Sequence, residues 1–158
     1  MILALVLAGC GNDTGLGNGN ETTLTAPSGV ATMELSAVSF TWDALAVGYS
    51  SSQDLVITSV GDGDLELNEL KIVTDPDDAF FFDEVEDVVL QPGQTVTYAV
   101  VADMDAGWSL DAFAQGQLRI RTNDAECITA MIPLLAYPEG YTGEPAQITD
   151  TSTANPCD

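Results

Sequence analysis

Three cysteines and a crowd of carboxylates are the side chains in this sequence that could do chemistry, and no histidine stands among them. Without imidazole, the commonest general base and the commonest neutral metal ligand are both missing. Ser-His-Asp and Cys-His nucleophilic chemistry and most zinc sites are thereby excluded. Between Gly61 and Leu90 stand eleven acids against one base, Lys71. Carboxylate oxygens are what calcium takes, and loops suit its flexible coordination. Asp62 and Asp64, with Asp75, Asp77 and Asp78, are therefore the candidate calcium ligands. Neither group matches an EF-hand loop, which needs acids at alternate positions and a terminal Glu. Turn chemistry offers the same residues a plainer use. Carboxylates at glycosidase spacing are easily found among 25 acids, so their proximity carries no information. Trp42 and Trp108 fall on separate elements and imply no aromatic cleft. The chain reads as non-catalytic.

The cysteines carry a different chemistry. Met1 to Ala8 is an uncharged apolar run that ends in Leu7-Ala8-Gly9-Cys10. That tetrapeptide resembles the lipobox of bacterial lipoproteins. The resemblance implies cleavage before Cys10, a diacylglyceryl group on its sulfur and acylation of the new amino terminus. Small residues admit the peptidase, and the apolar run fits an h-region. Each buried methylene contributes about 0.8 kcal/mol, and stable anchoring takes more than one chain. Met1-Ile2-Leu3 lacks the basic residues that open a signal peptide, so the start is expected to lie inside the true signal. Gly11 to Asn20 follows as a polar Gly/Asn tether. Gly11 stands where Asp would signal inner-membrane retention, which favours the outer membrane. With Cys10 acylated, Cys127 and Cys157 form an even pair in an oxidising compartment. A bridge between them would tie the tail to the last strand.

Charge narrows the partners. Lys+Arg 3 against Asp+Glu 25 gives a formal net charge of -22. Such a surface repels phosphate backbones, which excludes nucleic acid. It is repelled by anionic lipid as well, so membrane contact needs the acyl anchor rather than a basic patch. Arg119 and Arg121 are expected to pair with acids across a sheet.

The elements that must position these groups are strands. No stretch from Glu34 to Tyr137 keeps a helical period, and short alternating runs are separated by turns at regular spacing. Met33 to Trp42 reads as one strand, Ala44 to Ser52 as a small-residue connection, and Asp54 to Val60 as the next strand. Gly61-Asp62-Gly63-Asp64 is a turn tolerant of positive φ. Leu65 to Val73 changes parity after Leu67, which predicts a bulge near Asn68. Ala79 to Phe82 reads as a core plug. Val88 to Leu90 leads into Gln91-Pro92-Gly93-Gln94, ordered as a type II turn. Thr95 to Val101 and Gln117 to Thr122 alternate cleanly, and Ile128, Ala130, Ile132 and Leu134 mark the last of seven strands, with Pro133 at an edge.

Taken in order, these motifs resemble ASH-type (ASPM/SPD-2/Hydin) domains, immunoglobulin-like modules close to the bacterial choice-of-anchor D repeats. Asp54 to Leu65 is similar to their strand, glycine turn and strand; Leu90-Gln91-Pro92-Gly93 to their L-x-P-G turn; and Gly116 to Asp124 to their G-x-L-x-I-x-S/T-N-D strand and turn. Ile128 to Leu135 is similar to the closing strand. Phe40 is followed by Thr41-Trp42 where the family often has Phe-Gly, and Ala102 to Gly116 is a longer loop than usual. The resemblance implies a fold like major sperm protein and the N-terminal domain of pilus chaperones, and a binding or spacer role. The expected organisation is a signal peptide over 1–9, a lipidated Cys10 with its linker over 10–29, a seven-stranded, all-β immunoglobulin-like sandwich over 30–137 and an extended tail over 138–158. The expected function is a lipid-anchored, non-catalytic envelope module holding an unknown protein partner. The alternative is a calcium- or carbohydrate-binding surface domain; no other cofactor is expected.

Overall fold

The computed structural model describes residues 29–144, 146, 156 and 157. Cys10, the signal segment and the linker up to residue 28 lie outside the described residues. The described chain is all-β, in nine strands. They are β1 (Met33–Leu35), β2 (Phe40–Leu45), β3 (Tyr49–Ser59), β4 (Leu65–Thr74), β5 (Phe80–Phe81), β6 (Val88–Leu90), β7 (Thr95–Met104), β8 (Ala114–Thr122) and β9 (Thr129–Pro138). Two sheets form, in the orders β1-β3-β7-β5 and β2-β9-β8-β4-β6, and pack as an immunoglobulin-like sandwich.

The inward residues follow the period of two. Leu55 and Ile57 of β3, Val100 and Ala102 of β7, Leu118 and Ile120 of β8, and Ala130, Ile132 and Leu134 of β9 are all completely buried. Each buried Leu, Ile or Val contributes about 1.5–3 kcal/mol against the entropy of folding. Phe40, Trp42 and Phe80 close one side of the core with ring centroids 6.1 and 5.8 Å apart. The parity change in β4 is a register shift between Leu67 and Glu69, which places the bulge at Asn68. The Gln91–Gln94 turn closes with a hydrogen bond from Gln94 N to Gln91 O, and Gly93 takes φ 80° as a type II turn requires.

Nine strands replace the expected seven for two physical reasons. The run Met33 to Trp42 divides into β1, paired with β3, and β2, which crosses to the other sheet and runs parallel to β9. The Ala79–Phe82 plug is also a short strand, with Phe80 buried and Phe81 47% exposed. β3 begins at Tyr49, so the expected connection Ala44–Ser52 is half strand, paired with β7 up to Met104.

Three local readings need correcting. β9 is interior, between β2 and β8, so Pro133 is not on an edge strand. Met131 N donates to Pro156 O, so odd-numbered amides of β9 face away from β8. Pro133 shares that side, one residue before β2 pairing starts at Leu134, where no ladder donor is needed. Ile128 precedes β9 and is 61% exposed rather than core. Gly61 and Gly63 do not take positive φ. They are needed because residues 29–32 pass so close that a Cβ on Gly61 would collide with Val30 O, and one on Gly63 with Gly29 O.

Candidate functional site

The acids named as calcium candidates stand at opposite ends of β4 and do not converge. A ten-residue strand separates Asp64 from Asp75, about 30 Å at the usual rise. Asp62 Oδ1 accepts Val30 N at 2.6 Å, holding the strap that crosses the Gly61–Gly63 turn. Asp75 accepts Ala79 N at 3.0 Å and Phe80 N at 2.8 Å, one on each carboxylate oxygen, and so organises the approach to β5. Asp78 occupies the left-handed region with φ 53°, a turn role that Asp tolerates. Among the described residues, no group of three or more His, Cys, Asp or Glu is placed to hold a metal ion.

Arg119 pairs as expected. Its Nη2 and Nε lie 2.7 and 2.8 Å from Glu69 Oε2, while Lys71 Nζ lies 2.7 Å from Oε1. Arg121 is exposed, and among the described residues it has no ion-pair partner. The hydrogen bond from Lys71 is the largest influence on Glu69. Burial opposes it, Arg119 reinforces it, and the carboxyl titrates below its ordinary value. A carboxyl depressed on folding adds stability that is present above its unfolded value and is lost as pH falls through the folded one. Lys71→Met is therefore expected to raise the Glu69 titration midpoint, as followed by carboxyl NMR. An unmoved midpoint would remove Lys71 as the cause.

Two features were not legible as sites. Asn123-Asp124, expected as a plain turn, clamps three elements. Asn123 Oδ1 accepts Glu66 N, and its Nδ2 donates to Asp64 O at the start of β4. Asp124 is 3% exposed and accepts Met33 N of β1 at 2.8 Å and Glu126 N at 2.9 Å. The second feature is a ring cluster of Phe113, Tyr137 and Tyr141, with centroids 5.1–6.2 Å apart, that fastens the residues after β9. Its rings meet at tilted and edge-on angles. Cys127 and Cys157 are joined as a disulfide with Cα atoms 4.8 Å apart, and the adjoining Pro156 O accepts Met131 N at 2.9 Å.

The surface with unmet chemistry is the edge of the four-stranded sheet. Ser36 N donates to Val56 O and Val56 N to Ser36 Oγ, so even-numbered backbone groups of β3 face β1. β1 pairs with Ile57 to Ser59, which leaves the amides and carbonyls of Ser50, Ser52 and Asp54 facing outward with no strand beside them among the described residues. On the far side Asp103 N donates to Ala79 O, and β5 pairs with Val101 and Ala102. By the same period, Thr95, Thr97 and Ala99 form a second open edge. Lys71, Arg119 and Arg121 all lie on β4 and β8, so the four-stranded sheet carries no cation.

No family model matches the chain, and no curated protein matches it. Solved structures do. A protein of unknown function from Porphyromonas gingivalis W83 is similar over 75% of this chain, at 22% identity and a TM-score of 0.55. The ASH/PapD-like domain of human CEP192 is similar over 80% of this chain and 97% of its own length, at 12% identity and a TM-score of 0.53. The Acinetobacter baumannii CsuC-CsuE chaperone–tip adhesion subunit complex of Csu pili gives 11% identity and a TM-score of 0.53 over 78% of this chain. This chain spans 51% of the matched Porphyromonas chain and 59% of the matched Acinetobacter chain. At these identities the likeness establishes the fold alone: a PapD-like immunoglobulin sandwich.

Proposed function

We propose that this chain is a non-catalytic cell-envelope protein that is tethered to the outer membrane through lipid on Cys10 and uses its sandwich to hold a partner protein. The observation that carries the interaction role is the pair of open strand edges on a fold shared with an ASH/PapD-like domain and with a pilus chaperone–subunit complex. Open edges offer main-chain hydrogen bonds to a partner strand, one of the recurring modes of protein recognition. Leu7-Ala8-Gly9-Cys10 and the polar residues after it support the tether. The pairing of Cys127 with Cys157 suits an oxidising compartment. No observation favours the calcium or carbohydrate alternative, because Asp62 and Asp75 are engaged by backbone amides.

Radiolabelled palmitate tests the tether. Label is expected in the wild-type protein and not in Cys10→Ala, with the wild type partitioning into the detergent phase. Equal labelling of the two proteins would overturn the anchor.

A further inference from the structure

The N-terminal half of β3 is unusual in leaving core-facing positions open. Tyr49 and Ser51 share parity with Leu55 and Ile57, which are fully buried, yet Tyr49 is 68% exposed and Ser51 is exposed. The cause is the crossing of the chain from β1 to β2. β1 covers β3 at Ile57 to Ser59, then the chain departs for β9 in the other sheet. A gap is left between β2 and β3, bridged by a hydrogen bond from Gln53 Nε2 to Thr41 O at 2.8 Å. Beside that bridge lies a small cavity of about 120 Å³ lined by Trp42, Asp43, Ala44, Leu45 and Ser51. Trp42 is 6% exposed, and its indole N–H finds no acceptor among the described residues. A buried donor without a partner is costly.

Two features therefore meet at one place, beside a cavity that Trp42 lines: outward backbone groups at Ser50, Ser52 and Asp54, and an open stretch of inner face. The charge around them has one sign. Asp43 lines the cavity, Asp54 lies on the outer face of β3, and Asp103 stands opposite Ser50 on β7. All three cations of the chain are on the other sheet. We propose that Tyr49 to Asp54 is a strand-docking edge for an extended, Lys/Arg-bearing peptide segment of a partner, with an apolar side chain of that segment seated beside Trp42. The segment adds to the sheet where β1 leaves off. Its alternate side chains face the gap and the acidic outer face in turn. The inference rests on the interaction-module reading and narrows it to one edge and one partner chemistry.

A short peptide of alternating Lys and Val is the probe, added to the isotope-labelled protein while amide NMR signals are followed. Saturable shifts are expected at the amides of Ser50, Ser52 and Asp54 and at the Trp42 indole, weakening with salt. The same peptide N-methylated at alternate residues keeps the charge but cannot join a ladder. Equal shifts from it would reduce the effect to charge attraction and overturn the proposal, as would shifts centred on Thr95, Thr97 and Ala99. Ser52→Pro is expected to weaken binding about tenfold or more while leaving the fold intact, since the Ser52 amide faces away from β7. Trp42→Phe reduces the apolar wall on which the seated side chain rests and is expected to weaken binding about fivefold. Unchanged affinity in both variants would sink the assignment. A partner cross-linked to the β7 edge would leave the interaction module standing and overturn this inference. Peptide docking on β3 with no envelope partner at any edge would support the inference and overturn the module reading.

Discussion

Replacing Cys127 and Cys157 together by alanine is expected to lower the unfolding free energy by about 3–4 kcal/mol and the melting temperature by roughly 10–15 °C. The bridge spans a sequence separation of 30, and closing a loop of that size removes most of this amount from the unfolded chain's entropy. A second contribution is local. Residues 156 and 157 lie along β9 ahead of the point where β2 joins, and there Pro156 O accepts Met131 N. Cys157 packs against the core, and Cys127 is buried within it. Loss of the covalent tie therefore exposes a β9 amide as well as lengthening the unfolded chain. Hydrogen exchange at Met131 is expected to quicken more than at Ile132, whose amide faces β8. A melting temperature unchanged within a degree or two would refute the effect, and two free thiols in the denatured, unreduced protein would remove its premise.

Much of the sandwich is legible in the sequence because its strands alternate strictly. Thr95 to Val101 is resolved by Val96, Tyr98 and Val100, and the bulge at Asn68 by the change of parity after Leu67. The crossing from β1 to β2 has a similar mark. Leu35 is of odd parity while Phe40 and Trp42 are even, with Val38 left partly exposed between them. That break separates two strands in different sheets, although the hydrophobic run looks continuous. Pro133 misleads for a different reason. A proline forbids a ladder bond on one side of its strand, and an interior strand can also have a vacant side where its neighbour starts late.

The acids show where local reading stops. Asp62, Asp75 and Asp124 have no feature in their own neighbourhoods that separates a metal ligand from a backbone clamp. Their partners decide the matter: Val30 for Asp62, Ala79 and Phe80 for Asp75, Met33 for Asp124. For two of the three acids the partner lies more than thirty residues away in sequence, so periodicity cannot reveal it. The open β3 edge is hidden in the same way, since it exists because β1 is short and β2 belongs elsewhere.

Asp124→Ala is expected to cost about 2–4 kcal/mol, a large effect for one turn residue. The carboxylate is nearly inaccessible and accepts two backbone amides, Met33 N at 2.8 Å and Glu126 N at 2.9 Å. Bonds from amides to a charged acceptor are stronger than neutral ones, and their loss leaves two part-buried donors without their protein partner. Thr122 Oγ1 reinforces the clamp by accepting Asp124 N and donating to Cys127 O, so the turn also sets the residue that enters the disulfide. Asp124→Asn keeps an acceptor oxygen but not the charge, and it should fall between wild type and alanine. The loss should also be uneven: Met33 to Leu35 hold β3 by a short ladder, and without Asp124 their amides should exchange faster than those of β8 and β9. Denaturant unfolding with hydrogen exchange on both variants checks this, because an alanine variant as stable as wild type would mean that the clamp does not hold β1 in place.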